Sequence, residues 1–153
     1  MEKEFSRRSF LKMGTTAAAA MAVSPSLLMG KEKKGKKAAP QPLDRKLKIL
    51  GVGIGGRGAS VLKGLETEEI IGLCDVDWKY AAHIFERYPN AKRYNDYRVM
   101  FKELLDEADA VMVATADHTH AIIAAEAIAA GKHVYVEKPL THTVYESRLL
   151  TKL

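Results

Sequence analysis

Three short stretches of this sequence hold residue types at spacings that can do chemistry. Gly53-Ile54-Gly55-Gly56-Arg57-Gly58 fits G-x-G-x-x-G, a loop in which a Cβ would block a tight turn or the approach of a pyrophosphate to a helix N-terminus. Asp75 lies 22 residues beyond Gly53, where a carboxylate can accept hydrogen bonds from ribose hydroxyls and repel a 2′-phosphate. Thr115-Ala116-Asp117-His118-Thr119-His120 gathers hydroxyls, imidazoles and a carboxylate. Glu137-Lys138-Pro139 sets an amine where proline ends strand pairing; a lysine there can orient a hydroxyl and, with a lowered pKa, move a proton.

Each stretch has a plainer reading. The glycines with Asp75 could form a structural turn beside a surface acid, and Lys138 could be a surface lysine paired with Glu137. The H-x-H spacing of His118 and His120 can ligate zinc, but no other ligand cluster accompanies it and Asp117 suits a helix cap. No metal is expected. A second register, Gly51-Val52-Gly53-Ile54-Gly55-Gly56, also fits the glycine pattern. The first is preferred because it leaves a longer strand before the turn and puts Gly58 where the helix must approach that strand. Arg57 weighs mildly toward a 2′-phosphate, since it could reach one.

The surrounding pattern supplies elements to carry these residues. Apolar runs at Leu47–Val52, Ile70–Cys74, Ala110–Ala114 and His133–Val136 read as strands, with a short one at Lys92–Tyr94. Helical spacing occupies Ala59–Leu65, Trp78–Tyr88, a stretch capped by Asp96 and running to Leu105, Thr119–Ala130, and a last stretch from about Thr143. Continuous apolar strands separated by single helices predict a parallel sheet covered on both faces, a doubly wound α/β domain. In such a sheet ligands sit beyond the carboxyl ends of the strands at the switch in strand order. All three stretches follow strands, so all three face that crevice.

Composition narrows the rest. The chain of 153 residues carries a net charge of +5 and one cysteine, which excludes an intramolecular disulfide framework and a multi-cysteine zinc site. Residues 1–46 hold 11 Lys+Arg against 4 Asp+Glu, and residues 47–153 hold 13 against 15. The basic surplus therefore belongs to the head, and a nucleic-acid partner is not expected. Ser6-Arg7-Arg8-Ser9-Phe10-Leu11-Lys12 followed by an Ala-rich stretch to Met29 resembles a twin-arginine (Tat) export leader. That stretch is too short, too polar and too interrupted by Pro25 for a stable membrane span. The expected organisation is a leader at 1–30, a Lys/Pro-rich linker at 31–46 and a cofactor domain at 47–153. The expected partner of the head is the Tat machinery. The expected location is the periplasm, with membrane tethering as the alternative if the leader is retained.

Taken together, the glycine loop, Leu73-Cys74-Asp75-Val76-Asp77, Val113-Ala114-Thr115 with Asp117 to His120, and Gly131 to Leu140 with its Glu-Lys-Pro signature resemble the Gfo/Idh/MocA oxidoreductases. The resemblance spans Leu47 to Leu153. It implies a Rossmann domain for NAD, with NADP less favoured, and hydride transfer at a ring hydroxyl of a sugar, inositol or related polyol. Carried over, Gly53, Gly55 and Gly58 hold the pyrophosphate and Asp75 the adenosine ribose. Thr115 and His120 line the crevice, Glu137 and Lys138 flank the nicotinamide ribose, and Lys138 is the catalytic residue that also touches substrate. Ala116 departs from the family, which often has proline there.

The resemblance also implies more sheet and a second, substrate-binding domain after Leu153, so the chain is expected to be a fragment of a homo-oligomeric enzyme and inactive alone. Two other functions stay open. One is a glycoside hydrolase that uses bound NAD, although such enzymes tend to lack the Glu-Lys-Pro lysine. The other is a non-catalytic nucleotide-binding module.

Overall fold

The computed structural model describes residues 44–153. The leader read at 1–30 and most of the linker read at 31–46 lie outside the described residues. Five strands and five helices alternate along the described chain: β1 (Lys48–Val52), α1 (Gly56–Lys63), β2 (Glu69–Cys74), α2 (Ala82–Arg87), β3 (Lys92–Tyr94), α3 (Tyr97–Leu104), β4 (Ala110–Val113), α4 (Asp117–Ala129), β5 (His133–Val136) and α5 (Val144–Lys152). All strand pairs are parallel, in the order β3-β2-β1-β4-β5. The expected doubly wound α/β fold is the fold observed.

Strand alternation sorts the core into two layers. Leu50, Val52, Val111 and Val113 point to one face, where Met100, Phe101 and Leu104 of α3 and Ile123 and Ala127 of α4 cover them. Ile49, Ile70, Leu73 and Met112 point to the other, under Leu62 of α1 and Ile84 and Phe85 of α2. Strand order reverses between β1 and β4, because the chain winds outward from β1 to β3 and then returns to β1's other side. That reversal leaves two loops diverging above β1 and β4, which is the physical origin of the crevice.

Local chemistry sets the element ends. The Asp96 carboxylate caps α3 by accepting from the Arg98 amide at 2.9 Å. Thr143 and Glu146 form a reciprocal capping box at the start of α5. Gly131 takes φ +74° after α4, the left-handed turn that glycine closes without strain. The helix expected from Trp78 is shorter than its periodicity suggests. Asp77 accepts from the Tyr80 amide through its side chain and from the Ala81 amide through its carbonyl, and Ala82 bonds back three residues to Lys79. This tight turn delays the regular helix until Ala82.

At the opposite end of the sheet, Arg45 ties the chain entering β1 to the start of β4. Its guanidinium donates to both Asp109 oxygens, at 2.6 and 2.7 Å, and the Lys48 amide donates to the same carboxylate at 2.8 Å. These bonds tie Arg45, just ahead of β1, to the start of β4.

The Arg45 side chain, followed by the Lys48 amide, holds the Asp109 carboxyl well below the usual carboxylate range. An unfolded aspartate titrates at about 3.9, so this contribution is present above that pH and is lost progressively as pH falls below it toward the lower folded value. Urea unfolding should therefore show the wild type more stable than Asp109→Asn at pH 7, with the gap narrowing below about pH 4. A gap that stays constant down to pH 3 would contradict this assignment.

Candidate functional site

The glycine loop leaves β1 through Gly53, whose φ of +75° belongs to the left-handed region. A Cβ there would also lie 2.7 Å from the Ala114 carbonyl group and the Thr115 amide nitrogen, so two strand ends meet at this residue. Gly58 faces back onto the strand, and a Cβ on it would overlap the Gly53 carbonyl oxygen. The tight turn and the close helix–strand approach thus fall at the first and last glycines of the preferred register. Gly55 is the N-cap of α1 and offers no side-chain cap, so the positive end of that helix is available to an anion.

Asp75 sits at the carboxyl end of β2 and is tied to this loop. Its Oδ2 accepts from the amides of Ile54 at 2.8 Å and Gly55 at 3.0 Å, and its Oδ1 from the amide of Asp77 at 3.0 Å. A carboxylate has about four acceptor positions, so three bonds leave room for a hydroxyl. The side chain is half-buried and opens into a crevice of about 670 Å³. Gly53, Gly55, Asp75 and Thr115 all line that crevice.

Several lining residues carried no signal as site residues in the sequence. Tyr80 lies across the loop, so close that a Cβ on Gly55 would strike its ring; by spacing it reads only as a helix-face aromatic. Tyr97 and Arg98 enter from the first turn of α3, just beyond the end of β3, and Ile122 from α4. The Arg98 guanidinium stacks over the Tyr97 ring at 4.7 Å and stands 3.7 Å from Asp96. The rule that ligands gather beyond strand ends applies to β3 as it does to β1, β2 and β4, and it could have drawn attention to Tyr97 and Arg98.

His120 is placed differently from the expectation. It is 1% exposed, with Nδ1 at 2.7 Å from the Pro139 carbonyl and Nε2 at 3.0 Å from the Thr115 carbonyl. The ring is spent between two backbone oxygens and does not line the crevice, whereas its neighbours His118 and Thr119 do. The helix phase decides this, because position 120 faces the sheet. Asp117 is the first residue of α4 and supplies a charge to its first turn; the N-cap is Ala116.

Glu137 and Lys138 follow β5, which the Glu137 amide extends by donating to the Val113 carbonyl at 2.9 Å. Glu137 is buried, and its carboxylate accepts from Arg57 Nε at 3.0 Å, the Tyr135 hydroxyl at 3.2 Å and the Lys138 amide at 3.3 Å. The Arg57 bond comes first in holding this carboxyl below its ordinary range. Arg57, which by sequence could reach a 2′-phosphate, is instead engaged with Glu137. The Glu137 contact brings the turn after β5 against the first turn of α1. Lys138 is exposed, and its ammonium makes no ion pair among the described residues.

Gly-lined turn, uncapped helix terminus, an aspartate with an acceptor position to spare and an aromatic-walled crevice together fit a dinucleotide. No cluster of three or more His, Cys, Asp and Glu suited to a metal occurs among the described residues. No described helix is long and apolar enough to cross a membrane.

Comparison with known proteins agrees with this chemistry. The family model GFO_IDH_MocA, described as an oxidoreductase family with an NAD-binding Rossmann fold, matches residues 45–153. A model of the twin-arginine translocation signal matches residues 4–24. The chain is 30% identical to a glycosyl hydrolase family 109 protein of Shewanella pealeana over 94% of this chain and 35% of that one. It is 32% identical to an inositol 2-dehydrogenase of Salmonella paratyphi B over 60% of this chain and 28% of that one. The crystal structure of the WlbA dehydrogenase from Chromobacterium violaceum, in complex with NADH and UDP-GlcNAcA, superposes with a TM-score of 0.60 at 27% identity. That match covers 76% of this chain and 34% of the other. The chain thus spans about a third of the length of these proteins.

Cys74, the residue before Asp75, gives the site a silent reporter. Burial, followed by the charges of Asp75 and Asp96, pushes its thiol up to about 12. At pH 8 a disulfide reagent should modify the folded chain on the order of a hundredfold more slowly than the urea-unfolded chain. Equal rates would mean that the end of β2 opens freely.

Proposed function

We propose, from the premise that the chain belongs to the Gfo/Idh/MocA oxidoreductase family, that residues 47–153 bind NAD as the cofactor part of an exported dehydrogenase for a sugar, inositol or related polyol. The observation that carries this reading is the Arg57–Glu137 contact, which draws the turn bearing Lys138 against the first turn of the glycine-loop helix. In this reading the crevice takes the adenosine diphosphate, and the turn after β5, which does not line it, stands beside the reacting ring. NAD, when bound, supplies the hydride acceptor.

The chain's own residues have distinct tasks in this reading. Gly53, Gly55 and Gly58 let backbone amides approach the pyrophosphate. Asp75 accepts from the adenosine ribose, and its charge disfavours a 2′-phosphate. With Arg57 engaged by Glu137, the loop offers that phosphate less compensation, which supports NAD over NADP. Thr115 borders the crevice, and Glu137 sets the turn at its far side. Lys138 orients a hydroxyl and shares its proton. The leader at 1–30 and linker at 31–46 direct the product through the Tat route to the periplasm. That route carries folded proteins, and bound cofactor stabilises only the folded state. The oligomeric enzyme, its substrate and its acid/base partner in a further domain belong to the same proposal.

A second reading is favoured by one observation: the Shewanella pealeana relative is a glycosyl hydrolase family 109 protein and matches along 94% of this chain. Glu137-Lys138-Pro139 weighs toward the dehydrogenase. A chromogenic glycoside given to the full-length enzyme separates the two. No release, with NADH formed from a polyol, is expected; release without net NADH would replace the dehydrogenase reading with the hydrolase.

Titration of the chain with NAD should show Asp75→Ala binding about tenfold or more weakly than wild type, as loss of a charge-assisted bond implies. NADP should lose less, narrowing the preference between the two cofactors. Equal NAD affinity in wild type and variant would remove Asp75 from the ribose role.

A further inference from the structure

Apart from the tyrosines, only two polar side chains are buried among the described residues, His120 and Glu137, and both hold the same turn. Glu137 anchors its first residue to Arg57 of α1 at 3.0 Å, and His120 anchors the Pro139 carbonyl to α4 at 2.7 Å. Lys138 lies between the two anchors. Burying an imidazole is costly unless its nitrogens are partnered, and here both face carbonyl oxygens, of Pro139 and of Thr115. A neutral ring donates to one of them and a doubly protonated ring to both. The Pro139 carbonyl lies beyond the last residue of β5, so the sheet ladder supplies it no donor.

From this we infer that His120 is a positioning residue, which sets the Lys138 turn against the loop after β4 and so acts on the nicotinamide end of the dinucleotide through Lys138. The inference rests on the dinucleotide reading above and adds a residue to it that touches no cofactor. An exposed lysine keeps its rotamer freedom, so its amine is placed only as well as its backbone is. With the neighbours on both sides of Lys138 fixed to different helices, that backbone has one position. Releasing Pro139 leaves the turn held at Glu137 alone.

The test compares NAD with ADP on the full 153-residue chain, by calorimetry. ADP carries only the adenosine and diphosphate, so it reports on the crevice and on folding. Wild type should bind NAD more tightly than ADP. His120→Gln should weaken NAD about tenfold, the effect of one misplaced charged donor, and leave ADP within about twofold. Adding Lys138→Ala to His120→Gln should cost no more than either change alone, since both remove one contact. Unchanged NAD affinity in His120→Gln, an equal loss of NAD and ADP, or additive losses would overturn the positioning role. Wild type binding NAD no better than ADP would also overturn it while leaving the crevice reading intact; binding of neither would remove both. Ring-nitrogen NMR of the wild type needs no variant: His120 signals should respond to NAD and not to ADP. Indifference to NAD would again overturn the inference.

Discussion

The close approach of α1 to β1 governs the geometry of this domain. The Gly58 Cα packs against the Gly53 carbonyl with no room for a side chain, so the helix starts directly over the end of its strand. That contact aims the helix N-terminus at the crevice and puts Arg57 within reach of β5's end. It also brings Gly53 against Ala114 and Thr115, closing the gap between the two strands at the switch point. A larger residue at position 58 would lift the helix and move every one of these groups together.

Around that contact the site is assembled by backbone more than by side chains. Asp75 holds the loop through two amides, His120 reaches two carbonyls, and Glu137 takes the Lys138 amide along with Arg57. Such bonds fix loop shape where no ladder does, at strand ends whose polar groups would otherwise be unpaired. The crevice is consequently preformed, with aromatic and apolar walls at Tyr80, Tyr97 and Ile122 and charged groups at its rim. Ligand sites of this kind lose little entropy in organising themselves.

Much of the fold was legible because its elements are strongly patterned. β3 and β5 have the bounds read from their residues, and Asp96 and Thr143 cap the helices they were expected to begin. Legibility failed where a local side chain overrode periodicity, as when Asp77 tightens the turn before α2. It failed again where only helix phase decides, as at His120, which sits between two crevice-lining positions by number and against the sheet by orientation. Tyr80 and Arg98 escaped because their importance comes from which loops the topology sets side by side.

By itself the sequence determined the doubly wound class, the family, the export leader and the glycine–aspartate pairing, because these follow from local composition and from spacings along one chain. Only the tertiary structure decided what each charged or polar group faces. Arg57 turned out to hold a glutamate 80 residues away, and His120 a proline carbonyl rather than the crevice. Partners distant in sequence leave no periodic mark on it. Their meeting is set by strand order and by the clearance that glycine 58 allows.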